Sequence, residues 1–153
     1  MGVQTLSFLK TKNRDFNNVL DSAQLNLINH ETIAAARTLT NEDSGKTFFI
    51  SQASAYEITL PLMSAITAGW NATFILASVD TNAVTIANNT AEDTIVGGVA
   101  GADGGSGTSA ETAVDEVVFI SGAVLGDQCT ITANGANYFV TGYAADVAHI
   151  TVS

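Results

Sequence analysis

The residues able to do chemistry are few: two histidines, His30 and His149, and a single cysteine, Cys129. Cys129 as nucleophile with His149 as base is the one such pairing they permit. Nucleophilic catalysis also needs a third group to orient the base, and no motif around either residue supplies one. Cys129 lies in an apolar stretch and reads as a small buried hydrophobe, and both histidines read as structural. One cysteine allows no intramolecular disulfide. The run Gly105-Ser106-Gly107-Thr108-Ser109-Ala110 matches the G-x-G-x-x-A dinucleotide fingerprint. That fingerprint requires a strand before it and a helix after it, and the surrounding sequence predicts neither. Asp103, Glu111, Asp115 and Glu116 could gather oxygen ligands for calcium, but without EF-hand spacing they read as solvated loop carboxylates. Asn71-Ala72-Thr73 and Asn88-Asn89-Thr90 fit the glycosylation sequon, which matters only in a secreted protein. No cofactor, no metal and no enzymatic activity are expected.

Charge is more informative than catalytic residues. The 153 residues carry a formal net charge of -10. All five cations (Lys10, Lys12, Arg14, Arg37, Lys46) lie within the first 46 positions, where five acids balance them. Residues 47–153 hold ten carboxylates and no Lys or Arg. Such a body cannot neutralise phosphates and is repelled by an anionic bilayer surface, so neither nucleic acid nor membrane is expected as a partner. No apolar run approaches the ~20 residues of a membrane helix.

The elements that must position these residues are strands. From residue 34 onward the pattern has period two: 47–50, 56–60, 73–76, 84–86, 117–120, 129–132, 138–141 and 150–152 are short and rich in β-branched and aromatic residues. In Tyr56-Glu57-Ile58-Thr59-Leu60 the apolar and polar residues alternate, which predicts one buried and one wet face. The pattern predicts an all-β fold, an antiparallel β-sandwich or barrel of about eight strands with an N-terminal arm. Asn134-Gly135 predicts a type I′ hairpin, both of whose central residues need positive φ. Trp70, Phe74, Phe119, Tyr138 and Phe139 are expected in the core and in subunit contacts. Residues 34–153 form the body and 1–33 the arm. The glycines at 97, 98, 101, 104, 105 and 107 mark a long surface loop within 88–113, exposed and dispensable for folding.

The order of several segments resembles small tailed-phage virion structural proteins. These are Arg37-Thr38-Leu39-Thr40, Asp43 to Ile50, Ile58-Thr59-Leu60-Pro61, Gly69 to Leu76, Val84-Thr85-Ile86 and Thr94 to Gly98. Gly126-Asp127 follows, then Ala133-Asn134-Gly135-Ala136-Asn137-Tyr138-Phe139-Val140-Thr141-Gly142-Tyr143, which looks like that family's D-G-x-N-W-x-V-T-G hairpin with Tyr138 in place of Trp, and Ile150 to Ser153 closes the chain. The resemblance spans residues 37–153. It implies a β-rich homotrimer of the capsid decoration (cement) or head-fibre type.

Two functions fit. The first is a capsid decoration protein, a non-enzymatic homotrimer on the outer surface of the virion that binds the major capsid protein and stabilises the shell. The second is a tail-fibre or head-fibre module that adheres to a host-surface glycan or protein. The first accounts for the cation-bearing arm. Lys10, Lys12 and Arg14 are the densest positive charge, and Leu6, Phe8, Leu9 and Phe16 around them offer apolar anchors to a capsid. From the charge distribution, the isolated protein should leave a DNA fragment unretarded in a gel at physiological and at low salt. Salt-sensitive retardation would overturn that reading.

Overall fold

A computed structural model describes residues 29–89, 94–104 and 108–153. Twelve strands run in chain order: β1 (His30–Ile33), β2 (Arg37–Thr38), β3 (Lys46–Ser51), β4 (Tyr56–Thr59), β5 (Asn71–Ser78), β6 (Val84–Ala87), β7 (Thr94–Gly101), β8 (Thr108–Val114), β9 (Glu116–Phe119), β10 (Gln128–Ala133), β11 (Asn137–Ala144) and β12 (Ile150–Val152). Three short 3-10 turns are the only helical pieces among the described residues. The protein is all-β. Its strands form a seven-stranded sheet, β1-β3-β5-β10-β11-β7-β8, and a five-stranded sheet, β12-β9-β6-β4-β2.

The sheets are mixed, which corrects the antiparallel expectation, and the strands outnumber the eight counted from the sequence. The cause is a chain that alternates between sheets from β1 to β7. Consecutive strands therefore lie in different sheets, and from β1 to β4 each pairs with the strand two places along. β1 with β3, β3 with β5, β2 with β4 and β4 with β6 are all parallel. Period-two patterning reports which face of a strand is buried and says nothing of whether the next strand pairs with it. Antiparallel ladders appear where the chain stays in one sheet, as in β7 with β8 and β10 with β11.

Both sheets feed one buried cluster. Phe48, Phe74, Ile131 and Val140 enter it from the larger sheet and Ile58, Ile86, Val117 and Phe119 from the smaller. The registers put Phe48 opposite Phe74, and their rings stack 5.5 Å apart between centroids. Trp70 meets Tyr138 edge to face at 6.0 Å, donates from Nε1 to the Thr40 carbonyl at 3.0 Å, and is fully buried. The Tyr138 hydroxyl donates to the carbonyl of Pro61 at 2.6 Å, binding β11 to the segment that leaves β4. Buried Gln52 does the same at the far end of β3, donating to the Ile120 carbonyl at 2.8 Å beyond β9. An unpaired polar group at such depth costs on the order of 1–3 kcal/mol, so these contacts fix how the connections cross between sheets. Of the five aromatics expected in the core, Phe139 alone is exposed.

Three further expectations change. Residues 30–33, assigned to the arm, are β1, an edge strand of the larger sheet, while residues 1–28 of the arm lie outside the described residues. The hairpin at Asn134 exists, but its central residues are Gly135 and Ala136. Gly135 has φ +94°, Ala136 and Asn134 do not have positive φ, and Asn134 Oδ1 accepts the amides of Ala136 and Asn137 at 2.8 Å. Glycine first and an ordinary residue second is what a type II′ turn asks for, with Asn134 bracing it from outside. The glycine-rich segment within 88–113 holds β7 and β8, so much of it is sheet. Its glycines allow close approach: a Cβ on Gly97, whose φ is +129°, would land on the Val140 carbonyl oxygen of β11. The β7 and β8 register also shifts between Ile95 and Gly97, as at a bulge.

Gly97→Ala should therefore destabilise the protein by roughly 2–4 kcal/mol, through positive φ and overpacking together. Gly104→Ala has positive φ (+73°) but open space around it, and should cost about 1 kcal/mol. Thermal unfolding of the two variants checks the difference. Equal melting temperatures would mean that β7 does not approach β11 as described.

Candidate functional site

The body's two cations are both committed to ion pairs. Asp43, buried after the Asn41–Asp43 turn, accepts Lys46 Nζ at 2.7 Å and Arg37 Nη2 at 2.8 Å on one oxygen. Its other oxygen accepts the Thr40 amide at 2.9 Å. Arg37 also pairs with Glu31 through Nη1 and lies over the Phe48 ring, 5.4 Å from its centroid. The cluster fastens β1, β2 and β3 at one corner. Burial pushes the Asp43 carboxyl up, but the Lys46 hydrogen bond, the Thr40 amide and the charges of Arg37 and Lys46 outweigh it and leave the carboxyl below its ordinary 3.8.

The expected reactive residues are placed apart from any catalytic arrangement. His149 Nδ1 lies 2.8 Å from Asp127 Oδ2. Asp127 is buried and also accepts the amides of Val124 and Ala145, both at 2.8 Å, so it closes the turn before β10 and holds the end of β11. This is an oriented imidazole without an activated nucleophile. Cys129 faces the core on β10, and burial pushes its thiol up to about 12, which keeps it protonated at neutral pH. His30 sits edge-on to Phe49, 5.9 Å away. Among the candidate calcium ligands, Asp115 accepts the side chain of Asn88 at 3.0 Å and Glu116 the hydroxyl of Ser153 at 3.4 Å. Among the described residues no three His, Cys, Asp or Glu side chains gather as a metal site.

A feature that the sequence reading missed is the outer face of the seven-stranded sheet. Register places His30, Thr47, Thr73, Thr130, Thr141 and Gly98 in one row across six strands. A second row carries Thr32, Phe49, Ile75, Gln128, Tyr143 and Ala100, and a third carries Asn71, Thr132, Phe139 and Val96. None of these positions holds Asp, Glu, Lys or Arg. Thr73 and Thr130 hydroxyls hydrogen-bond each other at 2.9 Å. Phe139 and Tyr143 are 40% and 51% exposed, high for aromatic side chains that could bury 150–250 Å² each. The threonines and aromatics were visible in the sequence, but only strand order brings them together.

The expected attachment residues Leu6, Phe8, Leu9, Lys10, Lys12, Arg14 and Phe16 lie outside the described residues. Comparison with protein-family models, curated proteins and solved structures finds no match to the chain. The resemblance to tailed-phage virion proteins thus rests on the sequence motifs alone.

The corner cluster generates a pH prediction. A carboxyl whose pKa is depressed by folding stabilises above its unfolded pKa, and that stability is lost as pH falls through the folded value. Asp43→Asn should cost about 2 kcal/mol at pH 7, and its deficit against the parent protein should close as pH falls below 3.8. Denaturant unfolding across that range is the measurement. A deficit unchanged by acid would show that the Asp43 charge contributes nothing.

Proposed function

We propose that this protein is a capsid decoration protein, a non-enzymatic homotrimer that binds the major capsid protein on the outer surface of a phage shell. In this reading the body, whose two sheets share one core, is a β-sandwich. The observation that carries the proposal is the fate of the cations. Arg37 and Lys46 are tied to Asp43, so the remaining Lys10, Lys12 and Arg14 all precede the body, beside Leu6, Phe8, Leu9 and Phe16.

An acidic body facing solvent keeps many crowded copies soluble, while a separate cationic and apolar segment meets an acidic shell. Charges at the rim of a contact mainly set association rate and salt dependence, so the apolar side chains supply most of the hold.

The attachment claim is tested by co-sedimentation with undecorated capsids. A chain beginning at Asn29 keeps β1 and should fold as the full protein does, yet fail to bind. Charge reversal at Lys10, Lys12 and Arg14 should weaken binding chiefly at low salt. Full decoration by the shortened chain would move the attachment surface onto the body.

A further inference from the structure

We propose that the uncharged outer face of β1, β3, β5, β10, β11 and β7, six strands of the seven-stranded sheet, is a self-association surface, covered by the same face of another copy of this chain. The inference rests on the oligomeric part of the function proposed above and not on its capsid part.

Copies carrying a net charge of -10 repel one another, and bringing carboxylates together in a desolvated contact costs several kcal/mol. Association between copies must therefore use a surface that holds no carboxylates. The three rows running from β1 or β5 to β7 meet that condition. The opposite side of the molecule does not: the outer row of the five-stranded sheet carries exposed Glu57 in register with Thr85, Val118 and Thr151.

Composition points the same way. Phe139, Tyr143, Phe49, Ile75 and Val96 supply apolar area, and the hydroxyls between them are partly satisfied within the sheet by the Thr73 and Thr130 pair, which lowers the cost of removing water. Aromatic anchors among near-neutral polar contacts are what the centres of interfaces contain. Six strands at ~4.8 Å make the face about 24 Å across, and with ~20 Å along the strands its plan area is roughly 500 Å². That is the larger part of the ~800 Å² each partner gives to a standard interface. The halves differ, with Phe49 and Ile75 on the β3 and β5 side and Phe139 and Tyr143 on the β11 side. Three copies turned toward a common axis would set the Phe139 and Tyr143 half of one against the Phe49 and Ile75 half of the next.

The test places charge on the face without touching the core. Thr141→Glu with Tyr143→Glu alters two exposed positions of β11. Light scattering should find the parent protein oligomeric at micromolar concentration and the double variant monomeric, with unchanged circular dichroism. A monomeric parent, or a folded variant that stays oligomeric, overturns the proposal; the second result would also point to pairing through the exposed strand edges.

If the double variant does not fold, Thr141→Cys decides. Its thiol should be alkylated about ten-fold more slowly in concentrated than in dilute protein, while buried Cys129 stays unreactive, and equal rates at both concentrations overturn the proposal. Capsid co-sedimentation is scored separately. Failure of the oligomeric parent protein to bind capsids counts against the decoration reading alone, and a monomeric parent counts against the self-association surface.

Discussion

The structure depends on one constraint: the chain passes from sheet to sheet at each of its first six connections, so no two consecutive strands between β1 and β7 are paired. Every ladder in this half joins segments separated by a strand of the other sheet, and the hydrogen bonds form only after the intervening crossing is in place. Non-local pairing of this kind is slow to assemble and leaves edges exposed while it does. What holds the crossings is a small set of buried polar contacts. Gln52 reaches Ile120, Tyr138 reaches Pro61, and Trp70 reaches Thr40, each tying the end of a strand to the segment that leaves the other sheet.

Electrostatics is organised around the same crossings. Asp43 and Asp127 are the two buried carboxylates among the described residues, and both serve the architecture. Asp43 collects the only cations of the body at the β1, β2 and β3 corner, and Asp127 collects two amides and His149 where β10, β11 and β12 converge. Buried carboxylates survive because each oxygen is hydrogen-bonded, which converts a desolvation cost into a specific geometry. The remaining acids outnumber the two cations of the body and leave it strongly negative.

Much of the fold was legible in the sequence because burial alternation is local. Tyr56 to Thr59, Thr73 to Leu76 and Cys129 to Thr132 read as half-buried strands and lie in strands. Strand partners were not legible, since patterning cannot distinguish two strands that pair from two that stack across a core. The glycines of β7 misled for a related reason. Gly97 reads as loop by entropy, whereas its actual neighbour is a carbonyl of β11, forty-three residues along the chain. The candidate face was illegible for the same cause: Thr47, Thr73, Thr130 and Thr141 are scattered over 95 residues and become a row only through three separate registers.

That row also bears on why the protein tolerates so one-sided a charge. Self-repulsion among surface carboxylates is weakest where they are spread over a large solvated area and strongest where low-dielectric surface lies between them. Keeping acids out of the outer rows that run from β1 to β7 leaves that part of the broad sheet free of charge, so its apolar rows can lose water without stranding an ion. A single Glu in the middle row would change this balance, because a carboxylate between Thr73 and Thr141 would need a cation that the body does not have to spare. The two cations it possesses are held at the Asp43 corner, next to the end of the row at Thr47 but already bonded. The charge pattern and the uncharged face are thus two sides of one arrangement.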